Sequence, residues 1–164
     1  MTATGRLVLV STPIGNLGDL SPRAVETLRS CALICCEDTR HSGKLLSHAG
    51  VSGVRLAIAN EHTELARLDE VLGLLAAGSD VAVVTDAGTP GISDPGARLV
   101  RAAVEAGYVV SAVPGPAALV MALVISGFDS TRFVFEGFLP RSGRERADRI
   151  AEVAAERRTV VLYE

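Results

Sequence analysis

Seven short apolar segments recur along the chain, and several are apolar at successive positions rather than at every second one. A strand covered by helices on both faces needs apolar side chains on both sides, whereas a half-exposed strand alternates. The pattern therefore predicts the strands of a mostly parallel sheet. The segments span residues 7–10, 32–36, 54–58, 81–84, 109–113, 133–135 and 159–163.

Helical patterns lie between these segments. One set of leucines has the spacing of a single helix face that ends before Gly78; it comprises Leu65, Leu68, Leu72 and Leu75. Ser21 followed by Pro22 predicts a helix start, and Asp94 followed by Pro95 predicts another, with Asp94 as the cap. Strands and helices alternate along most of the chain, which predicts an α/β fold with helices flanking the sheet.

Composition narrows the class of protein. With 16 Lys and Arg against 19 Asp and Glu, the net charge of -3 shows no overall basic footprint for nucleic acid. The apolar segments are too short to cross a membrane, and the N-terminus lacks a signal-peptide pattern, so we expect a cytoplasmic protein. The three cysteines, Cys31, Cys35 and Cys36, lie in or beside one apolar segment and are predicted to be buried and reduced, with no metal bound.

Three loops rich in Gly and Pro follow predicted strands, at residues 11–20, 85–96 and 113–117. Open α/β sheets bind ligands beyond the carboxyl ends of their strands. The chain has no dinucleotide fingerprint, phosphate-binding P-loop, nucleophile elbow or zinc-spaced histidine pair. The polar residues left on loops are Asp19, residues 37–41, Asp86 and Asp94, which are either site residues or ordinary turn and cap residues.

Arginines are concentrated after Pro140, in a segment that we interpret as a linker leading into a new helix. Their side chains either form a solvated helix face or contact RNA phosphate. We predict one domain over residues 1–137 and a linker with the start of a second domain over residues 138–164.

Five motifs in this order resemble the ribosomal RNA small subunit methyltransferase I family, within the tetrapyrrole methylase superfamily. They read TPIGNLGDL at 12–20, EDTRH at 37–41, DAGTPGISDPG at 86–96, VPGP at 113–116 and FEGFLP at 135–140. The resemblance implies two α/β domains and a homodimer, of which this chain would be the N-terminal domain with a largely absent C-terminal domain. It also implies S-adenosylmethionine-dependent 2′-O-methylation of a cytidine ribose in the decoding region of 16S ribosomal RNA, in the small ribosomal subunit.

The same resemblance assigns site residues. Those expected to contact the cofactor are Thr12, Pro13, Ile14, Gly15, Asp86, Ala87, Gly88, Thr89, Pro90, Ile92, Ser93, Pro114 and Gly115. Asp38, His41 and Asp86 are candidate general bases, because a ribose hydroxyl must lose its proton to be methylated. Arg40, Arg141, Arg144 and Arg146 are candidate RNA contacts, although Arg40 could instead pair with Asp38.

Departures from the family pattern at positions 59–62, 117 and 128–130, and two alternative functions, stay open. Position 117 is Ala where the family usually has Ser. The alternatives are a methyltransferase acting on a tetrapyrrole, and a catalytically inactive fragment that only dimerises.

Overall fold

The computed structural model describes residues 4–60 and 62–164, which form two compact units divided between Pro116 and Ala117. The first unit contains β1 (Arg6–Val10), α1 (Pro22–Ser30), β2 (Leu33–Cys36), α2 (Thr39–His48), β3 (Arg55–Ile58), α3 (Leu68–Ala76), β4 (Val81–Val83), α4 (Ala97–Glu105) and β5 (Val109–Val113). The second contains α5 (Ala118–Ser126), β6 (Phe133–Phe138), α6 (Gly143–Ala155) and β7 (Thr159–Tyr163).

The first unit is built on a five-stranded sheet in the order β3-β2-β4-β1-β5, in which every neighbouring pair is parallel. Alternate side chains of each central strand enter two separate cores. On one face Val8, Ile34 and Ala82 pack with residues of α1 and α2. On the other face the core includes Leu7 and Leu33 and residues of α3 and α4. The predicted parallel sheet with helices on both faces is confirmed.

All three cysteines are buried and free, as the apolar setting of residues 31–36 predicts. Burial raises the pKa of the Cys35 thiol to about 12. A thiol held in this neutral form packs as a small apolar side chain.

Two of the predicted helix starts differ from the structure. Leu65 lies in a short 3-10 turn before α3 and is 58% exposed, so only the later leucines of that pattern face the core. Asp94 does not cap a helix, because α4 begins three residues later, with Gly96 at its N-cap position. The start of α1 is as predicted, with Ser21 Oγ accepting a hydrogen bond from the amide of Ala24 and Pro22 at the first helical position.

In the second unit, β6 and β7 form a parallel two-stranded sheet. The ring of Tyr163 contacts those of Phe135 and Phe138, with centroids 5.1 and 5.3 Å apart. The two strands are joined through α6, an exposed helix. The domain boundary expected at residues 137–138 stays a prediction.

Candidate functional site

The polar loops of the first unit meet at the carboxyl ends of β1, β2, β4 and β5. The chain leaves β1 and β2 toward helices on one face of the sheet and leaves β4 toward α4 on the other face. Because β4 lies between β1 and β2, a crevice opens there, at the point where ligands bind in open α/β sheets.

Two predicted cofactor residues, Thr12 and Gly88, form an isolated antiparallel bridge across this crevice. The amide of Thr12 donates to the carbonyl of Gly88 over 2.9 Å, and the amide of Gly88 donates back over 3.2 Å. Thr12 Oγ1 also donates to the carbonyl of Thr85, at 3.1 Å. The hydroxyl proton of Thr12 is thus donated within the protein. Thr12 holds in place the loop that follows β4, residues 84–96, which we call the β4 loop.

The loop that follows β5, residues 114–116, packs against the loops that follow β1 and β4. Small residues make this close approach possible. A Cβ added to Gly115 would lie 2.9 Å from the Cβ of Ser11, closer than packed side chains approach. Gly88 has a φ of +87°, and an added Cβ there would lie 3.4 Å from Ile14 Cγ2. Thr89 Oγ1 donates to the carbonyl of Pro116, at 3.0 Å, and lies 3.1 Å from Ser11 Oγ.

The remaining predicted cofactor residues are less enclosed. Pro13 and Pro90 are buried, whereas Gly15, Ala87, Ile92 and Pro114 are exposed. Ser93 is exposed and adopts a φ of +59°, the one positive φ among the described residues other than glycine. A non-glycine residue in this region carries backbone strain that the surrounding loop must hold.

Three carboxylates lie at this edge. Glu37 Oε1 accepts a hydrogen bond of 3.0 Å from the amide of Asp86. Asp86 Oδ1 is buried and has no hydrogen-bond partner among the described residues. Partial burial, together with the negative charges of Glu37 and Asp86, raises the pKa of Asp94 to about 6. The site is therefore electronegative and contains an acceptor that lacks a donor.

Asp38 and Arg40 form a separate pair at the start of α2. Asp38 Oδ1 accepts from the amide of Arg40 at 2.8 Å, and Oδ2 lies 2.7 Å from the guanidinium. These hydrogen bonds lower the pKa of Asp38 to about 2. His41 is exposed in the first turn of the same helix. Of the two ways that Arg40 was expected to act, the structure shows the pairing with Asp38.

The other candidate RNA contacts are in the second unit. Arg144 lies 3.6 Å from Asp148, and Arg146 donates to the carbonyl of Pro140 and pairs with Glu164 at 2.9 Å. Arg141 is exposed and has no ion-pair partner within the described residues.

Glu64 was not among the residues predicted for this edge, although it is buried there. It is 3% exposed and accepts hydrogen bonds from the amides of Gly96 and Leu99. Glu64 follows β3, in a segment whose helical pattern gave no sign of a long-range contact. Asp94, for which the sequence leaves open a site residue or a helix cap, lies close enough to Glu37 and Asp86 for their charges to affect its pKa.

Within residues 4–60 and 62–164, no helix combines the length and apolar character that a membrane crossing requires. The same residues include no group of three or more His, Cys, Asp or Glu side chains arranged to hold a metal ion.

Comparison with known proteins places this arrangement in a family. The sequence pattern described as Tetrapyrrole (Corrin/Porphyrin) Methylases matches residues 6–164. The chain belongs to the tetrapyrrole methylase family. A solved structure, the uroporphyrin-III-C-methyltransferase from Thermus thermophilus, superposes with a TM-score of 0.60 over 84% of this chain and 65% of that one. At 22% identity, this likeness shows the fold alone.

Relatives of higher identity carry the name that the five motifs suggested. Proteins named ribosomal RNA small subunit methyltransferase I are 51% identical in Xylella fastidiosa, over 100% of this chain and 60% of the relative, and 51% in Synechocystis sp., over 98% and 57%. The relative from Escherichia coli O157:H7 is 46% identical, over 98% of this chain and 56% of its own length. The resemblance to this family is confirmed, and the chain spans less than two thirds of these relatives.

Proposed function

We propose that this chain is the N-terminal part of an enzyme that transfers a methyl group from S-adenosylmethionine to the 2′-hydroxyl of a cytidine ribose in the decoding region of 16S ribosomal RNA. The buried and unpartnered Oδ1 of Asp86, in the crevice between the glycine-containing loops, carries the proposal. An acceptor buried without a donor costs free energy, so this position favours a ligand that brings a donor.

The residues present fit S-adenosylmethionine. When bound, it supplies an electrophilic methyl group on a positively charged sulfur, and it also carries an ammonium group and ribose hydroxyls. Asp86 Oδ1 would accept a hydrogen bond from one of these donors. The charge of Glu37, 3.0 Å from the Asp86 amide, and that of Asp94 when ionised favour a cationic ligand over an anionic one. The loops joined by Thr12 and Gly88 would hold it in a fixed place.

The enzyme must also align the ribose hydroxyl with the methyl group and accept its proton. Of the three candidate bases, Asp38 is the weakest, because its hydrogen bonds to Arg40 hold its pKa near 2. Asp86 lies at the crevice, and His41 is exposed at the start of α2. Asp86 and His41 therefore remain the stronger candidates for proton acceptance.

RNA binding is assigned to arginines with exposed side chains. The side chains of Arg40 and Arg144 are 87% and 94% exposed, so RNA phosphate could replace their present carboxylate partners at little cost. Arg141 is exposed as well, and Arg146 would have to leave Glu164. We propose the small ribosomal subunit in the cytoplasm as the partner, bound by a homodimer of the intact protein.

A methyl-transfer assay tests the function. The intact protein would be incubated with tritiated S-adenosylmethionine and small ribosomal subunits that lack the modification, and labelled nucleotides would be mapped. We expect label on a cytidine 2′-oxygen, at least tenfold less with Asp86→Asn, and an unchanged rate with Asp69→Asn, an exposed residue of α3. Transfer to a tetrapyrrole precursor instead would favour the first alternative. Transfer by the intact protein but none by residues 1–164 alone would favour the inactive dimerising fragment, and no transfer by the intact protein would contradict the proposed function.

A further inference from the structure

Glu64 is the one charged side chain among the buried residues in the described part of the chain. The other buried polar residues are Ser11, Thr12, Ser42 and Thr85. A buried carboxylate needs hydrogen-bond donors or a cation to offset the loss of water. No Lys, Arg or His of the described residues lies within salt-bridge distance of Glu64. Hydrogen bonds from backbone amides therefore stabilise the buried carboxylate of Glu64.

Those amides belong to the start of α4, which directly follows the β4 loop. Glu64 Oε1 accepts from the amide of Gly96 at 3.1 Å and from those of Arg98 and Leu99 at 3.0 Å each. These donors are 32 to 35 residues from Glu64 in sequence. The first amides of a helix have no partner within the helix and favour a negative charge. Glu64 thus serves as a long-range cap for α4.

Gly96 explains why the cap comes from so far away. Its φ is +120°, and an added Cβ would lie 3.3 Å from Val83 Cγ1 and 3.8 Å from Pro90 Cβ. A Ser or Asp, the usual capping residues, would be strained there and would crowd strand β4. Because glycine occupies the N-cap position, α4 has no side-chain cap of its own, and the carboxylate of Glu64 accepts the hydrogen bonds that a capping residue would accept.

This contact fixes one end of the loop that carries most of the proposed cofactor residues. The other end is held by the Thr12–Gly88 bridge and by the hydroxyl of Thr89. Between the two ends, the amide of Gly91 donates to the carbonyl of Pro95 at 3.1 Å. Ser93, with its positive φ, lies within this turn. Its strained conformation therefore depends on both ends being held.

We propose that Glu64 is a positioning residue for cofactor binding, which acts by holding residues 90–96 in the conformation that binds S-adenosylmethionine. Its carboxylate also occupies the N-terminus of α4, so the carboxylate of the ligand does not bind at that helix start. This inference rests on the proposed function, since it assumes that the β4 loop is the cofactor loop.

Two measurements on the intact protein test it. Hydrogen exchange in the absence of ligand should show that Glu64→Ala loses protection at the amides of Gly96, Arg98 and Leu99. Calorimetric titration with S-adenosylmethionine should show at least a tenfold higher Kd for Glu64→Ala. Glu64→Gln retains an acceptor oxygen but loses the negative charge that the helix start favours, so its Kd should lie between those of wild type and Glu64→Ala.

The control is Ser21→Ala, which removes the cap of α1 and destabilises the protein without touching the β4 loop. It should lower Tm but leave the Kd unchanged. In the methyl-transfer assay, Glu64→Gln should raise the KM for S-adenosylmethionine and change kcat by less than twofold.

The outcomes separate this inference from the proposed function. A wild-type protein that binds no S-adenosylmethionine contradicts both. Wild-type binding that Glu64→Ala retains, at the affinity of Ser21→Ala, contradicts this inference alone. If Glu64→Ala does not fold, a Glu64→Gln variant that matches wild type in both exchange and KM likewise contradicts it.

Discussion

The amide of Asp86 donates a 3.0 Å hydrogen bond to Oε1 of Glu37, and this contact joins the loops that leave β4 and β2. It also places the negative charge of Glu37 beside the backbone of Asp86. Partial burial, together with the charges of both residues, raises the pKa of Asp94. A carboxyl group whose pKa is strongly raised by burial and by neighbouring carboxylates is more common at functional sites than elsewhere. Substitution of Glu37 therefore tests directly how the acidic residues of the site affect the pKa of Asp94.

Removing the charge of Glu37 should lower the pKa of Asp94. Glu37→Gln keeps an oxygen that can accept from the Asp86 amide, so the loop should stay in place while the repulsion is lost. We expect the pKa of Asp94, followed by carboxyl-carbon NMR, to move from about 6 toward its ordinary value of 3.8. Asp69→Asn, on the exposed side of α3, serves as the control. An Asp94 titration that is the same in both variants would show that Glu37 has no such effect.

Asp94 should make stability depend on pH in a defined direction. Its pKa is raised to about 6 in the folded protein, so between 3.8 and 6 the folded state binds more protons than the unfolded state. Stability from this residue is present at low pH and is lost as the pH rises through about 6. Asp94→Asn should therefore raise Tm at pH 7.5 more than at pH 4.

Asp129→Asn provides a control of opposite sign. Hydrogen bonds from Thr131 lower the pKa of Asp129, so this variant should lose stability at neutral pH and lose less at acidic pH. Thermal unfolding at both pH values measures the two effects. A larger gain for Asp94→Asn at pH 4 than at pH 7.5 would contradict the assignment.

Restoring a hydroxyl at position 117 should stabilise α5. Ala117 has the extended backbone of an N-cap residue, but its side chain accepts no hydrogen bond. The hydroxyl of Tyr163 accepts from the amide of Leu119 at 3.3 Å and replaces only part of a normal cap. Ala117→Ser should add about 1 kcal/mol, measured by urea unfolding and by slower exchange of α5 amides. Ala118→Ser, one residue inside the helix, should add nothing, and equal effects of the two would exclude capping as the cause.

Two glycines should respond to alanine in opposite directions. An added Cβ on buried Gly5 would lie 2.1 Å from the carbonyl oxygen of Ser79, a backbone atom that cannot move aside easily. Gly5→Ala should therefore cost roughly 3 kcal/mol or more. Gly73 is exposed within α3, with no atom near its added Cβ, so Gly73→Ala should add roughly 0.5–1 kcal/mol. Chemical denaturation measures both, and a stable Gly5→Ala protein would mean that β1 and the segment before β4 are less closely packed than described.

The sheet could be predicted from sequence because its cause is local. Strands such as β2, whose four residues are all buried, must be apolar at every position, and that pattern is visible in the sequence. The pairing of β6 with β7 could not be read in the same way. An apolar segment shows that a strand forms but does not show which strand it joins.

The three loops at the candidate site could be located from the sequence, because their close approach and turns require glycine and proline. The glycines and prolines of the three loops mark where chains approach closely, and the structure brings Thr12 and Gly88 of two of these loops together. Their contacts with a cofactor stay predictions. The role of Glu64, and the absence of a cap at Asp94, could not be predicted for a common reason. A cap at Asp94 was the simplest local explanation of Asp94-Pro95, but the actual cap comes from a residue more than 30 positions away. Contacts of this range depend on the tertiary fold.

The measurement that tests the account most directly is calorimetric titration of S-adenosylmethionine into the intact protein and its Asp86→Ala variant, with Asp69→Ala as the matched control. We expect saturable binding by wild type and Asp69→Ala, and at least a tenfold weaker affinity for Asp86→Ala, because the ligand's donor would lose the acceptor that Asp86 Oδ1 provides. Equal affinity of Asp86→Ala and wild type, with both proteins folded, would contradict the assignment of this crevice as the cofactor site.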